Sequence, residues 1–211
     1  MRKTMLILGI LSFLGIGCSD KEPKNEAPNK ITKEEGQAML LWEDNYLMVE
    51  LISHSNLEFA KKETQRTSKF GEEHFDGNGF TEITEIEEIS YSTDQLKIPI
   101  EEVAQLLESK GLTKYQKLMY YGGGEPTEIK DPKSIVYGKL KSGIFLEPEN
   151  KILKHIWFDT YNWKEIHKTK IAEGLNAIGV EYNMILVDWN SGQIVDLKNI
   201  KEIKNYLKPN D

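Results

Sequence analysis

The stretch YNMILVDWNSGQIVDL, residues 182–197, decides the fold class. Two largely apolar runs, 182–189 and 193–197, flank Asn190-Ser191-Gly192, and the glycine supplies a position that takes positive φ in a tight turn. The pair reads as a β-hairpin and so as part of an antiparallel sheet. After it, Asn199 to Leu207 reads as a short terminal helix. Before it, Asn162 and Glu165 form a capping box ahead of Ile166, Ile171, Leu175 and Ile178, a helical stripe that Gly179 closes. Further back, 134–140, 143–146 and 151–158 read as strands. Pro99 suits a first helical turn, with Val103, Leu106 and Leu107 as the apolar face and Gly111 as the stop. Tyr120-Tyr121-Gly122-Gly123-Gly124 opens an irregular loop that ends near Pro132.

Thr32 and Glu35 make another capping box. Behind it, Ala38, Leu41, Trp42, Met48, Val49 and Ile52 fall on one helical face, which predicts a helix from Lys33 to His54 that continues through Leu57, Phe59 and Ala60 towards Ser68. Residues 70–96 change character: they carry eight acidic side chains and no lysine or arginine. Asp76-Gly77-Asn78-Gly79 is a turn signal, and 81–92 is rich in Thr, Ile and Tyr, which favour strands. Ile83, Ile86 and Ile89 recur every three residues, so the expectation is a strand interrupted by a bulge. Together these readings predict a single α+β domain over 32–211, a mostly antiparallel sheet packed with about four helices.

The N-terminus carries a different message. Arg2 and Lys3 precede an apolar run from Met5 to Ile16 that is shorter than the about 20 residues needed to cross a bilayer, and a strongly polar tail follows. Leu14-Gly15-Ile16-Gly17-Cys18 resembles the lipobox of bacterial lipoproteins of the Bacteroidetes type, with Gly15 where the usual pattern has leucine. The resemblance implies that residues 1–17 are a signal peptide removed on export and that Cys18 becomes the lipid-bearing first residue. It also implies a bacterial cell-envelope location, lipid-anchored in the outer membrane on its periplasmic or outer side. Cys18 is the sole cysteine, so its lipidation leaves no thiol for disulfides, zinc or nucleophilic chemistry. Residues 18–31, rich in Lys, Glu, Asn and Pro, read as a flexible tether.

Composition narrows the partners. The formal charge of −7 becomes more negative once Arg2 and Lys3 leave with the signal, which disfavours nucleic acid and favours a basic protein. The four histidines, His54, His74, His155 and His167, lack metal-ligand spacing, and there is no Gly-x-Ser-x-Gly elbow. His155, Asp159 and His167 form only a motif-free grouping. Asp76, Asn78 and Glu87 stand at offsets one, three and twelve of a calcium loop, but Thr81 occupies the sixth place, where that loop needs glycine. The reading therefore holds no catalytic residue, metal or cofactor.

The candidate partner-binding residues are the acids Glu72, Glu73, Asp76, Glu82, Glu85, Glu87 and Glu88, with the aromatics Trp157, Tyr161 and Trp163 from the run HIWFDTYNW at 155–163. Aromatics of that kind dominate binding hot spots and stack on sugars, although strand core is the competing explanation for Trp157. The leading expectation is a non-enzymatic binding lipoprotein whose acidic segment engages a basic protein. The pattern LVDWNSGQIVDL at 186–197 loosely resembles some immunity proteins of polymorphic toxin systems, which implies the specific role of neutralising a toxin. The alternatives are a glycan- or peptidoglycan-binding module carried by the aromatics, and a hydrolase without a recognised motif.

Overall fold

The hairpin at 184–196 lies at one end of a larger sheet in the computed structural model, which describes residues 38–122, 124–139, 141–160 and 167–208. The expected signal peptide, Cys18, the tether, Tyr161 and Trp163 lie outside the described residues. In chain order the first strands are β1 (Ala38–Trp42) and β2 (Val49–Ser53), followed by the helices α1 (Leu57–Glu73) and α2 (Ile100–Ser109). Next come β3 (Thr113–Lys114), β4 (Lys117–Tyr121), β5 (Thr127–Glu128), β6 (Ile135–Gly138), β7 (Ser142–Glu149) and β8 (Ile152–Thr160). The chain closes with α3 (Lys168–Tyr182), β9 (Met184–Asp188), β10 (Gln193–Asp196) and α4 (Ile200–Tyr206).

Among the described residues seven strands form the main sheet in the order β10-β9-β2-β8-β7-β6-β3, and every adjacent pair is antiparallel. A three-stranded sheet, β1-β4-β5, pairs β1 with β4 in parallel and is a separate hydrogen-bonded sheet. The fold is a single α+β domain with four α-helices among the described residues, as the sequence predicts. Gly192 takes φ of +71° in the β9–β10 turn, Asn199 caps α4 through its side chain, and Pro99 precedes α2.

The expected helix at 33–54 is wrong over its described part: it comprises β1, a turn, and β2. The reason is the position of β2 between β8 and β9, where both faces are covered. Leu51 packs on one side of the sheet and Ile52 on the other. A strand buried on both faces reads as a continuous apolar run, which periodicity does not separate from a helix. The true helix begins at Leu57. Gly179 does not stop α3 either; the helix runs on to Tyr182 and ends at Asn183, whose φ is +53°. A Cβ at Gly179 would overlap Leu197, so this glycine serves close packing.

One face of the main sheet, with Ile144, Leu146, Ile156, Phe158 and Leu186, packs against α2, α3 and α4 through Val103, Leu107, Ile171, Leu175 and Ile203. The other face has two separate covers. Over its β9–β2 half lie α1 and residues 84–89, which bury Ile52, Ile185, Val187 and Trp189 beneath Ala60 and Ile86. Over its β6–β8 half lie Met39 and Leu118 of the small sheet, which close on Val136, Phe145 and Trp157.

The predicted strand at 81–92 is absent as a named element; beside α1 the segment runs as coil with bends at 81–82 and 90–91 and a single bridge residue at Ile86. Side chains of α1 replace the missing partner strand. The Arg66 guanidinium donates to the Glu85 carbonyl at 2.5 Å and to Thr84 Oγ1 at 2.9 Å. The Glu63 carboxylate accepts from the Glu87 backbone N–H at 2.8 Å and from Arg66 at 2.6 and 2.9 Å. Backbone groups satisfied in this way need no continuous ladder. Burial pushes the Glu63 carboxyl up, but the Arg66 and Glu87 donors outweigh it and hold the group below its ordinary range.

Candidate partner-binding site

The acidic segment projects from the C-terminal end of α1. Phe75 and Phe80 bridge across the turn at 76–79, with ring centroids 5.4 Å apart. Inside the turn, Asp76 Oδ1 accepts from the backbone N–H groups of Asn78 at 2.8 Å and Gly79 at 3.0 Å, which hold its carboxyl below the ordinary range. Among the described residues, no three His, Cys, Asp or Glu side chains stand together as a metal site.

Beyond the turn, Thr84 and Ile86 point inward while Glu82, Glu85, Glu87 and Glu88 stay exposed. Glu72, Glu73 and Asp76 are exposed as well, so the fold presents all seven predicted acids on one continuous segment. Lys69 lies 3.5 Å from Glu73, and His74 Nδ1 lies 3.6 Å from Glu82. The same segment carries an apolar set that sequence reading does not single out. Phe75 is 54% exposed, Phe80 38% and Ile83 57%. Large apolar groups ringed by charge have the anatomy of a binding surface, in which aromatic anchors hold the energy and the polar rim excludes water.

Behind these aromatics runs a groove of about 630 Å³ between α1 and the β9–β10 turn. Asp44, Gly71, Glu72, Phe75, Phe80 and Trp189 are among its lining residues. Phe80 leans over Gly71, its ring 3.5 Å from where a Cβ would stand. Trp189 forms part of the floor and is almost fully buried, its indole N–H donating to Glu50 Oε2 at 3.2 Å.

Trp157 is not part of any surface. Its side chain is 0% exposed, stacks on Phe145 at 3.7 Å, and donates its N–H to Glu147 Oε1 at 3.3 Å. As a partner-binding residue it is withdrawn, because β8 is covered on both faces. His155 and Asp159 do not meet: four residues apart on one strand, they are separated by about 13 Å.

Trp157 instead belongs to a polar seam between the two covers, which holds three buried carboxylates, Glu50, Glu147 and Asp159. Tyr46 Oη donates to Glu147 at 2.9 Å, as does Ser134 Oγ. His155 Nδ1 stands 3.7 Å from Glu50. Asn45 Nδ2 donates to Asp159 Oδ1 at 3.1 Å. Burial pushes the Asp159 carboxyl up to about 6 against the pull of Asn45 and the Thr160 N–H. Burial and the Glu147 charge also push the Tyr46 phenol up. The turn that supplies Asn45 and Tyr46 also supplies Asp44 to the groove, so the seam braces one wall of the site. Single carboxylates inside apolar runs, as in Val49-Glu50-Leu51 and Leu146-Glu147-Pro148, were the only sequence signal for it.

Comparison of the chain with protein-family models, curated proteins and solved structures gives no match.

Proposed function

We propose that this chain is a bacterial envelope lipoprotein, anchored through lipid on Cys18, that works without catalysis by binding a basic protein. Its most specific form is an immunity protein that neutralises a toxin. The observation that carries the reading is the pairing of seven exposed carboxylates with exposed Phe75, Phe80 and Ile83 on one segment. The two chemistries divide the work. Exposed ion pairs contribute about 0–1 kcal/mol each, whereas an aromatic anchor that becomes buried contributes about 2 kcal/mol or more. The acids therefore steer a cationic partner and select against acidic ones, and the aromatics hold it.

The test is capture of partners by the C-terminally tagged full chain, extracted from the membranes of its native bacterium in detergent and washed at low and then high salt. The reading expects one basic protein, released as salt rises. A partner of acidic surface, or capture indifferent to salt, counts against it.

A further inference from the structure

We infer that the groove between α1 and the β9–β10 turn seats an arginine side chain of the partner; the inference rests on the binding reading above and assigns its central contact. Three features of the groove point to that occupant. Among the described residues its charged lining is the carboxylates Asp44 and Glu72, with no lysine, arginine or histidine. Its mouth is aromatic, with Phe75 and Phe80 half exposed and tilted by 56° to one another. Its volume of about 630 Å³ exceeds one side chain and accommodates the backbone that bears it.

A guanidinium fits this lining better than an ammonium. Its planar face stacks on a phenyl ring, and its five N–H donors reach acceptors on more than one wall. Here those acceptors are Asp44 from the turn before β2 and Glu72 from α1, with the Ser68 and Ser191 hydroxyls also lining the groove. The arginine's methylene stem packs on the rings while its head lies between the carboxylates. Lysine brings a compact, strongly hydrated charge that meets one carboxylate and stacks poorly. The Trp42 indole N–H donates to Asp44 Oδ2 at 2.9 Å and fixes that carboxylate in place before any partner arrives.

The test uses the full chain in detergent and a fluorescein-labelled hexapeptide that alternates leucine and arginine. The leucine–lysine and leucine–citrulline peptides serve as controls, and binding is read by polarisation at physiological salt. The arginine peptide binds tightest, the lysine peptide several-fold weaker and the neutral citrulline peptide not measurably. Asp44→Asn with Glu72→Gln weakens arginine-peptide binding at least tenfold, while Glu181→Gln at the far end of α3 changes nothing. Both groove acids are exposed, so circular dichroism and the melting midpoint of the double variant match the parent. Equal binding of the lysine peptide, or full binding by the double variant, overturns the assignment. Loss of binding in Glu85→Gln/Glu87→Gln/Glu88→Gln but not in the groove variant also overturns it, while leaving the acidic-surface reading in place. Absence of arginine-peptide binding overturns the groove assignment alone, because capture of a basic protein reads the broader proposal independently.

Discussion

Asp159→Asn stabilises the protein at neutral pH and does nothing at low pH. Asp159 is 8% exposed and titrates at about 6 instead of 3.8, so its charged form is disfavoured in the fold. Between those two values the native state holds a proton that the unfolded chain has released, and stability therefore falls as pH rises through the window. Above it the full cost is present, about 3 kcal/mol at 1.36 kcal/mol per pH unit. The asparagine side chain keeps the oxygen that accepts from Asn45 Nδ2 and from the Thr160 N–H. Removing the charge recovers most of that cost, which corresponds to a rise in melting midpoint of roughly 6–12 °C for a domain of this size. The assay is thermal unfolding followed by circular dichroism from about pH 3.5 to pH 8, parent beside variant. The two curves coincide at the acid end and diverge through the window. A variant less stable than the parent at neutral pH refutes the reasoning, and so does a gap between the two curves that stays constant with pH.

Other perturbations test other layers of the account. Arg66→Ala removes the bonds to Thr84 and the Glu85 carbonyl while Glu63 still accepts from the Glu87 N–H; it costs about 2 kcal/mol through lost charge-assisted hydrogen bonds and raises hydrogen exchange around 84–87 first. Phe75→Ala with Phe80→Ala leaves stability within about 1 kcal/mol, since both rings are exposed, yet weakens partner capture by about 2 kcal/mol or more. Gly179→Ala forces α3 away from Leu197 and destabilises the fold by about 1–3 kcal/mol, read from the urea midpoint at unchanged slope.

The parts of the fold that were legible carry local chemistry that works alone. The β9–β10 hairpin announces itself through Asn190-Ser191-Gly192, α4 through the Asn199 cap, and α2 through Pro99 and Gly111. The misread parts depend on what lies above and below them. β2 looked helical because α2–α4 bury one of its faces and α1 the other, so Leu51 and Ile52 are both core. α1 was blurred because the inward face of its middle turns is small and polar, with Ala60, Glu63, Thr64 and Thr67 buried. Thr64 and Thr67 satisfy their hydroxyls on the carbonyls of Ala60 and Glu63, so the helix packs without an apolar stripe. At the site, the acids stood out in composition alone. The exposure of Phe75, Phe80 and Ile83 did not, since aromatic and aliphatic residues are read as core by default. For Trp157 the sequence reads both as strand core and as a binding aromatic, and the small sheet packed over β8 makes it core.

The most direct test of the acidic surface compares two baits from the native bacterium, the tagged parent and Glu85→Lys/Glu87→Lys/Glu88→Lys, with the captured protein quantified at low and high salt. The account predicts one basic protein, retained by the parent at low salt, released at high salt and absent from the reversed variant. Equal capture by both baits would contradict it.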